Sequence, residues 1–86
     1  MLVKLYTVKG CRNCLMVKDY FDQANLEFVE VDCDQNLEEA IAVMKMAGSE
    51  VLPIIRYGED NFILGYQPDN LEKLVKLLRS SSKGTA

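Results

Sequence analysis

The apolar residues of this chain change their spacing several times from one end to the other, and that alternation limits the architectures open to it. Leu2-Val3-Lys4-Leu5-Tyr6-Thr7 alternates apolar and polar positions and runs to a turn at Gly10, the pattern of a strand. From Cys14 the interval lengthens. Leu15, Val17, Phe21 and Ala24, with Tyr20 beside them, fall on one helical face, while Lys18, Asp19, Asp22 and Gln23 fill the other. Leu26 to Asp32 reads as a second strand. Asn36, with Glu39 three residues on, predicts a capping box that opens a helix turning Leu37, Ala40, Ile41, Met44 and Ala47 inward; Gly48 stops it. Val51 to Tyr57 and Phe62 to Leu64 read as strands joined through a turn at Gly58-Glu59-Asp60-Asn61. Pro68 fits the first position of a last helix whose inner face is Leu71, Leu74, Val75 and Leu78. The predicted order is βαβαββα, an α/β fold. A parallel strand pair with right-handed crossovers and a terminal hairpin make a four-stranded mixed sheet flanked by three helices.

With 86 residues, the chain can close only a single core. Residues 1–80 read as that domain; from Arg79 on no apolar face remains, and 81–86 read as a flexible tail. The net charge of −3 comes from interspersed acids and bases, with no cluster of Lys and Arg suited to phosphates, so nucleic acid is not an expected partner. No apolar run approaches the ~20 residues of a membrane span, and the first residues lack a signal-peptide pattern. The expectation is a cytoplasmic monomer.

The chemistry-bearing stretch is Gly10-Cys11-Arg12-Asn13-Cys14, where the first strand turns into the first helix. At a helix start, positions i and i+3 lie on one side, about 5–6 Å apart at Cβ, which suits a disulfide that opens and closes with little backbone movement. In a reducing compartment such a pair is more often catalytic or metal-binding than a structural bridge. A nucleophilic sulfur must be a thiolate, and the unpaired N–H groups of a first helical turn favour one at Cys11. Lys9 and Arg12 add flanking positive charge, secondary because exposed. Cys11 is then the attacking sulfur, and Cys14, one turn inside, the resolving one.

A zinc site needs four ligands, and the chain has no histidine and only one more cysteine, Cys33. A metal or iron–sulfur site using Cys11 and shared across a dimer stands as the alternative reading. Cys33 lies between Asp32 and Asp34, whose charges disfavour its thiolate, and reads as structural.

Strand, Cys-x-x-Cys at a helix start, Leu52-Pro53 opening the third strand and Gly65 before the last helix together resemble the thioredoxin fold in its small glutaredoxin form, over residues 1 to about 80. Within that group Gly65-Tyr66-Gln67-Pro68-Asp69 is similar to a segment of the NrdH-type redoxins, electron donors of ribonucleotide reductase. The resemblance implies a dithiol–disulfide oxidoreductase acting on protein disulfides or glutathione mixed disulfides, with ribonucleotide reductase a candidate acceptor. It implies a cis Pro53 against the cysteine pair, Leu52 offering its backbone to a substrate chain, and Gly65 and Asp69 approaching a bound glutathione or protein tail. It implies no tightly bound cofactor; glutathione is a candidate co-substrate, and either glutathione or thioredoxin reductase the reductant. Arg12-Asn13 stands where typical glutaredoxins carry Pro-Tyr, Val8 where they commonly place a basic residue, and the chain has no Trp, so the reductant stays open.

Overall fold

The computed structural model describes residues 2–84. The elements are β1 (Val3–Thr7), α1 (Arg12–Gln23), β2 (Val29–Asp32), α2 (Leu37–Ala47), β3 (Ile54–Tyr57), β4 (Asn61–Leu64) and α3 (Pro68–Gly84), in the βαβαββα order predicted. One mixed sheet carries the strands in the order β2-β1-β3-β4. β1 runs parallel to β2, with Thr7 opposite Asp32, and antiparallel to β3, with Tyr6 opposite Ile54. β3 and β4 form the hairpin, Arg56 facing Phe62. A parallel pair needs a crossover, and α1 supplies it; the antiparallel pair needs only the short turn after Tyr57.

The two-residue period of β1 divides the core. Val3 and Leu5 face Val17 and Phe21 of α1 and Leu71 and Leu74 of α3, whereas Tyr6 faces Val31, Ala40, Val43 and Cys33 on the α2 side. Ile54 and Ile55 split between the two faces in the same way. Leu5, Tyr6, Phe21, Ile54, Ile55 and Leu71 are each fully buried. Each such apolar side chain contributes about 1.5–3 kcal/mol, so the central strands and the helices that cover them hold the fold together.

The helix phases differ from the sequence reading. On α1 the buried stripe is Cys14, Val17 and Phe21, and Leu15 is 63% exposed. On α2 it is Ala40 and Val43, while Leu37 and Ile41 are 63% and 53% exposed. Both helices carry apolar residues on two adjacent stripes; on α2 the sheet takes the one with the smaller side chains, Ala40 and Val43. The capping box does not form. Asn36 makes no side-chain cap and donates instead to the Asp32 carbonyl, while Glu39 is drawn to the sheet by Lys4 and Tyr6.

Two strands begin later than predicted. Leu26 and Phe28 precede β2 as partly buried packing residues, the Phe28 ring 5.2 Å from that of Phe21. β3 starts only after the cis Leu52-Pro53 peptide, since Val51 is exposed and Pro53 has no N–H to give the sheet. Gly48 ends α2 in a left-handed conformation, as its position predicts. α3 begins at Pro68 and continues to Gly84, so its backbone reaches into the segment read as a tail; residues 85 and 86 lie outside the described residues. Among the described residues no helix is long and apolar enough to cross a membrane.

Candidate active site

The central strand β1 delivers the chain to the site. After Thr7 the backbone turns at Val8–Gly10, closed by a Cys11 N–H bond to the Val8 carbonyl at 3.3 Å, and α1 starts. Cys11 is the N-cap of α1, with extended φ and ψ of −85° and 108°. Its sulfur takes the place usually held by a Ser, Asp or Asn oxygen: Sγ accepts the Cys14 N–H at 3.1 Å. No acidic residue lies in this first turn, so nothing there opposes negative charge on Cys11.

Cys11 and Cys14 are joined by a disulfide, their Cα atoms 5.3 Å apart. The bridge is asymmetric in its exposure. Cys14 is buried, at 2%, in the first turn of α1; Cys11 is half-buried at the rim, and Lys9, Gly10, Arg12 and Asn13 around it are exposed. An incoming group therefore reaches Cys11 first. The sequence assigned the attacking role to Cys11 and the resolving role to Cys14 from position alone.

Of the six residues that the sequence added to the cysteines, the structure gathers some and separates others. Lys9 lines a cavity of about 250 Å³ with Cys11 and Cys14. Pro53 and Gly65 are tied together, the Gly65 N–H donating to the Pro53 carbonyl at 2.8 Å. Pro53 is buried and follows a cis peptide; Leu52 before it is half-buried. Gly65 has φ 74°, and a Cβ there would meet nothing within 4 Å, so the backbone turn into α3 and not crowding calls for glycine. Asp69 is exposed in the first turn of α3. Arg12, Leu52, Pro53, Gly65 and Asp69 do not line the cavity beside the cysteines.

The sequence reading missed the far wall of that cavity. Lys18 Nζ lies 3.0 Å from Glu30 Oε1, and the buried Thr7 hydroxyl donates to Glu30 Oε2 at 2.8 Å. The hydrogen bond from Lys18, and then that from Thr7, hold the Glu30 carboxyl below the usual carboxylate range. Periodicity placed Lys18 on the outer face of the helix. The missed signal is its spacing: it follows Cys14 by four residues and so shares its side of the helix.

Cys33 sits apart, 5% exposed in the core under α2. Burial, and then Asp32 and Asp34, push its thiol up from the ordinary value. The acidic neighbours are the part visible in the sequence. Burial is the larger cause.

The sequence profile of glutaredoxins matches residues 3–63. The chain belongs to the glutaredoxin family. It is 35% identical to the gene 56 protein of Mycobacterium phage L5, over 95% of this chain and 80% of that protein. It is 31% identical to the glutaredoxin-like protein NrdH of Lactococcus lactis subsp. cremoris, over 85% and 99% of the two chains. The solved structure of the glutaredoxin-like NrdH-redoxin from Escherichia coli, described as having a thioredoxin-like activity profile, superimposes with a TM-score of 0.76 at 26% identity, covering 86% of this chain and 95% of that one. A glutaredoxin whose Cys11 and Cys14 close a disulfide at a helix start is a dithiol–disulfide oxidoreductase. The fold is the thioredoxin-like one that the sequence pattern resembled.

Proposed function

We propose that this glutaredoxin is an NrdH-like electron donor of the cytoplasm that reduces protein disulfides, ribonucleotide reductase being the candidate acceptor, and that thioredoxin reductase recharges it. One observation carries the division of labour: Cys11 Sγ caps the helix and accepts a backbone N–H while Cys14, in the helix's first turn, is buried. The N–H and the helix terminus stabilise a thiolate on Cys11. That thiolate attacks a substrate sulfur; the substrate disulfide breaks, and its second sulfur leaves with the electron pair. Cys14 then attacks Cys11 Sγ, the mixed disulfide breaks, and the first substrate sulfur leaves as a thiolate. The Cys11–Cys14 disulfide is the oxidised product.

The residues around the pair take binding roles in this reading. The exposed cations of Lys9 and Arg12 meet the substrate's charge, and the backbone of Leu52 offers hydrogen bonds to an extended substrate chain. Pro53 and Gly65, held together, shape the groove floor, and Asp69 receives an amine. The choice of reductant is supported by Arg12-Asn13 and Val8, which lack the glutathione-directed pattern, and by the activity profile printed for the Escherichia coli relative.

A coupled NADPH-consumption assay with insulin as the disulfide tests both halves, run once with thioredoxin reductase and once with glutathione and its reductase. Turnover with thioredoxin reductase is expected; turnover with glutathione alone overturns the choice of reductant. Cys11→Ser abolishes reduction, and Cys14→Ser accumulates the mixed disulfide, seen as a mass adduct. Equal and near-normal turnover by both variants would overturn the mechanism.

A further inference from the structure

Cys14 poses a problem that the first step does not share. It must become a thiolate to resolve the mixed disulfide, yet it is 2% exposed, and burial disfavours the charged form. The helix terminus serves Cys11: the N–H of Cys14 points at the Cys11 sulfur. Some other group has to favour charge on Cys14.

The cavity beside the disulfide supplies it. Cys14 and Lys18 are i and i+4 on α1, about 5–6 Å apart at Cβ, and both line this space. The ammonium of Lys18 is fixed by Glu30 at 3.0 Å, and Glu30 is fixed in turn by the Thr7 hydroxyl. The other charged groups facing the cavity are Lys9 from the loop and Asp32 from β2. Lys9 is exposed and screened. A carboxylate oxygen of Asp32 is taken by the Asp34 N–H at 2.9 Å. Lys18 is therefore the cation held by the fold on the Cys14 side of the pair.

We propose that Lys18, pinned by Glu30 and Thr7, is a positioning residue for the resolving step, stabilising the Cys14 thiolate as it forms. Cys14 loses its proton to water in the cavity and attacks Cys11 Sγ. The bond from Cys11 to the substrate sulfur breaks, and that sulfur leaves with the electron pair. The Lys18–Glu30 link is a half-exposed ion pair of little weight in folding, so replacing Lys18 leaves the fold in place.

The magnitude follows from two opposing effects. Losing that cation raises the Cys14 thiol and cuts its thiolate population by about tenfold. The more basic thiolate is about threefold more nucleophilic, which leaves resolution about threefold slower below the midpoint.

The proposal rests on the oxidoreductase reading above, and a two-phase assay separates the two. Reduced protein is mixed with the aromatic disulfide DTNB in stopped flow across a pH series. Cys11 releases the first thionitrobenzoate, and Cys14 the second. In Lys18→Met the second phase is expected to slow about threefold and its pH midpoint to rise by about one unit, with a smaller change in the first phase and an unchanged far-UV spectrum. Lys18→Arg, which keeps the charge, restores most of the rate. A second phase in Lys18→Met with the wild-type rate and midpoint overturns this inference while leaving the oxidoreductase reading intact. A wild-type protein that never releases the second equivalent overturns that reading itself.

Discussion

Cys11, Cys14 and Cys33 share a side chain and differ in everything the fold adds to it. Cys11 has a backbone donor and the rim of the site, Cys14 is buried beside a cavity with a fixed cation, and Cys33 is buried among apolar groups with acids nearby. Cys33 is expected to be inert. In the oxidised native protein a thiol titration should find no fast-reacting group, and one thiol only after denaturation; rapid native labelling of Cys33 would contradict its placement. At this scale the sequence made the redox pair legible, because Cys-x-x-Cys at a strand-to-helix junction has few other uses. It did not make Lys18 and Glu30 legible. Their partnership joins α1 to β2 across the parallel pairing, and no local pattern encodes it.

Among the elements, α2 is the one held by charge as well as by packing. Glu39 reaches from its first turn to Lys4 at 3.1 Å and to the buried Tyr6 hydroxyl at 2.9 Å, with Arg56 contributing. Burial first and Glu39 second push the Tyr6 phenol up to about 12, so it remains a donor throughout the working pH range. The Lys4 hydrogen bond, then that of Tyr6, lowers the Glu39 carboxyl. Glu39→Ala leaves the Tyr6 hydroxyl buried without its acceptor, and chemical denaturation should show a loss of about 1–3 kcal/mol. Glu30 and Glu39 both titrate below their unfolded values, so the stability they give is complete above the ordinary carboxylate range. It is lost as pH falls through that range into their folded ones. The double variant Glu30→Gln/Glu39→Gln should therefore lose less stability than wild type between pH 7 and pH 3, though each half-exposed pair contributes under about 1 kcal/mol.

The same helix marks the limit of pattern reading. Leu37 and Ile41 are as apolar as Val43, and periodicity alone cannot choose between stripes one residue apart. The choice is made by Ala40 and Val43 fitting against Tyr6 and Ile54, a contact between segments far apart in sequence. Asn36 and Glu39 have the spacing of a capping box for the same insufficient reason: the sheet offers Glu39 better partners than its own helix. At Gly65 the local signal did suffice. Gly65→Ala meets no atom, yet forces a side chain into the left-handed region at a cost of about 1–2 kcal/mol, measurable as a lower melting temperature.

For the molecule as a whole, the order of elements was legible because each period is long enough to be unambiguous and the crossovers have one allowed hand. Strand order followed from it. Boundaries were not legible where Phe28 and Val51 continue an apolar pattern outside the hydrogen-bonded ladder. The disulfide closes a very short loop, which limits the unfolded chain by about 2 kcal/mol. The oxidised protein should melt higher than the dithiol form, by roughly 10 °C, in calorimetry with and without reductant. A dithiol form that melts higher would mean that thiolate stabilisation at Cys11 outweighs loop closure.

β1 is bonded to β2 on one side and β3 on the other, and it hands the chain directly to the redox turn. Local openings of a folded protein spare such a doubly bonded strand until nearly everything else has come apart. The amides of Val3 to Thr7, with those of the equally flanked β3, should be the last to exchange with deuterium, and β1 ends four residues before a sulfur built to react. The site is thus moored to the slowest clock in the molecule, and its geometry persists through the brief excursions that loosen the periphery.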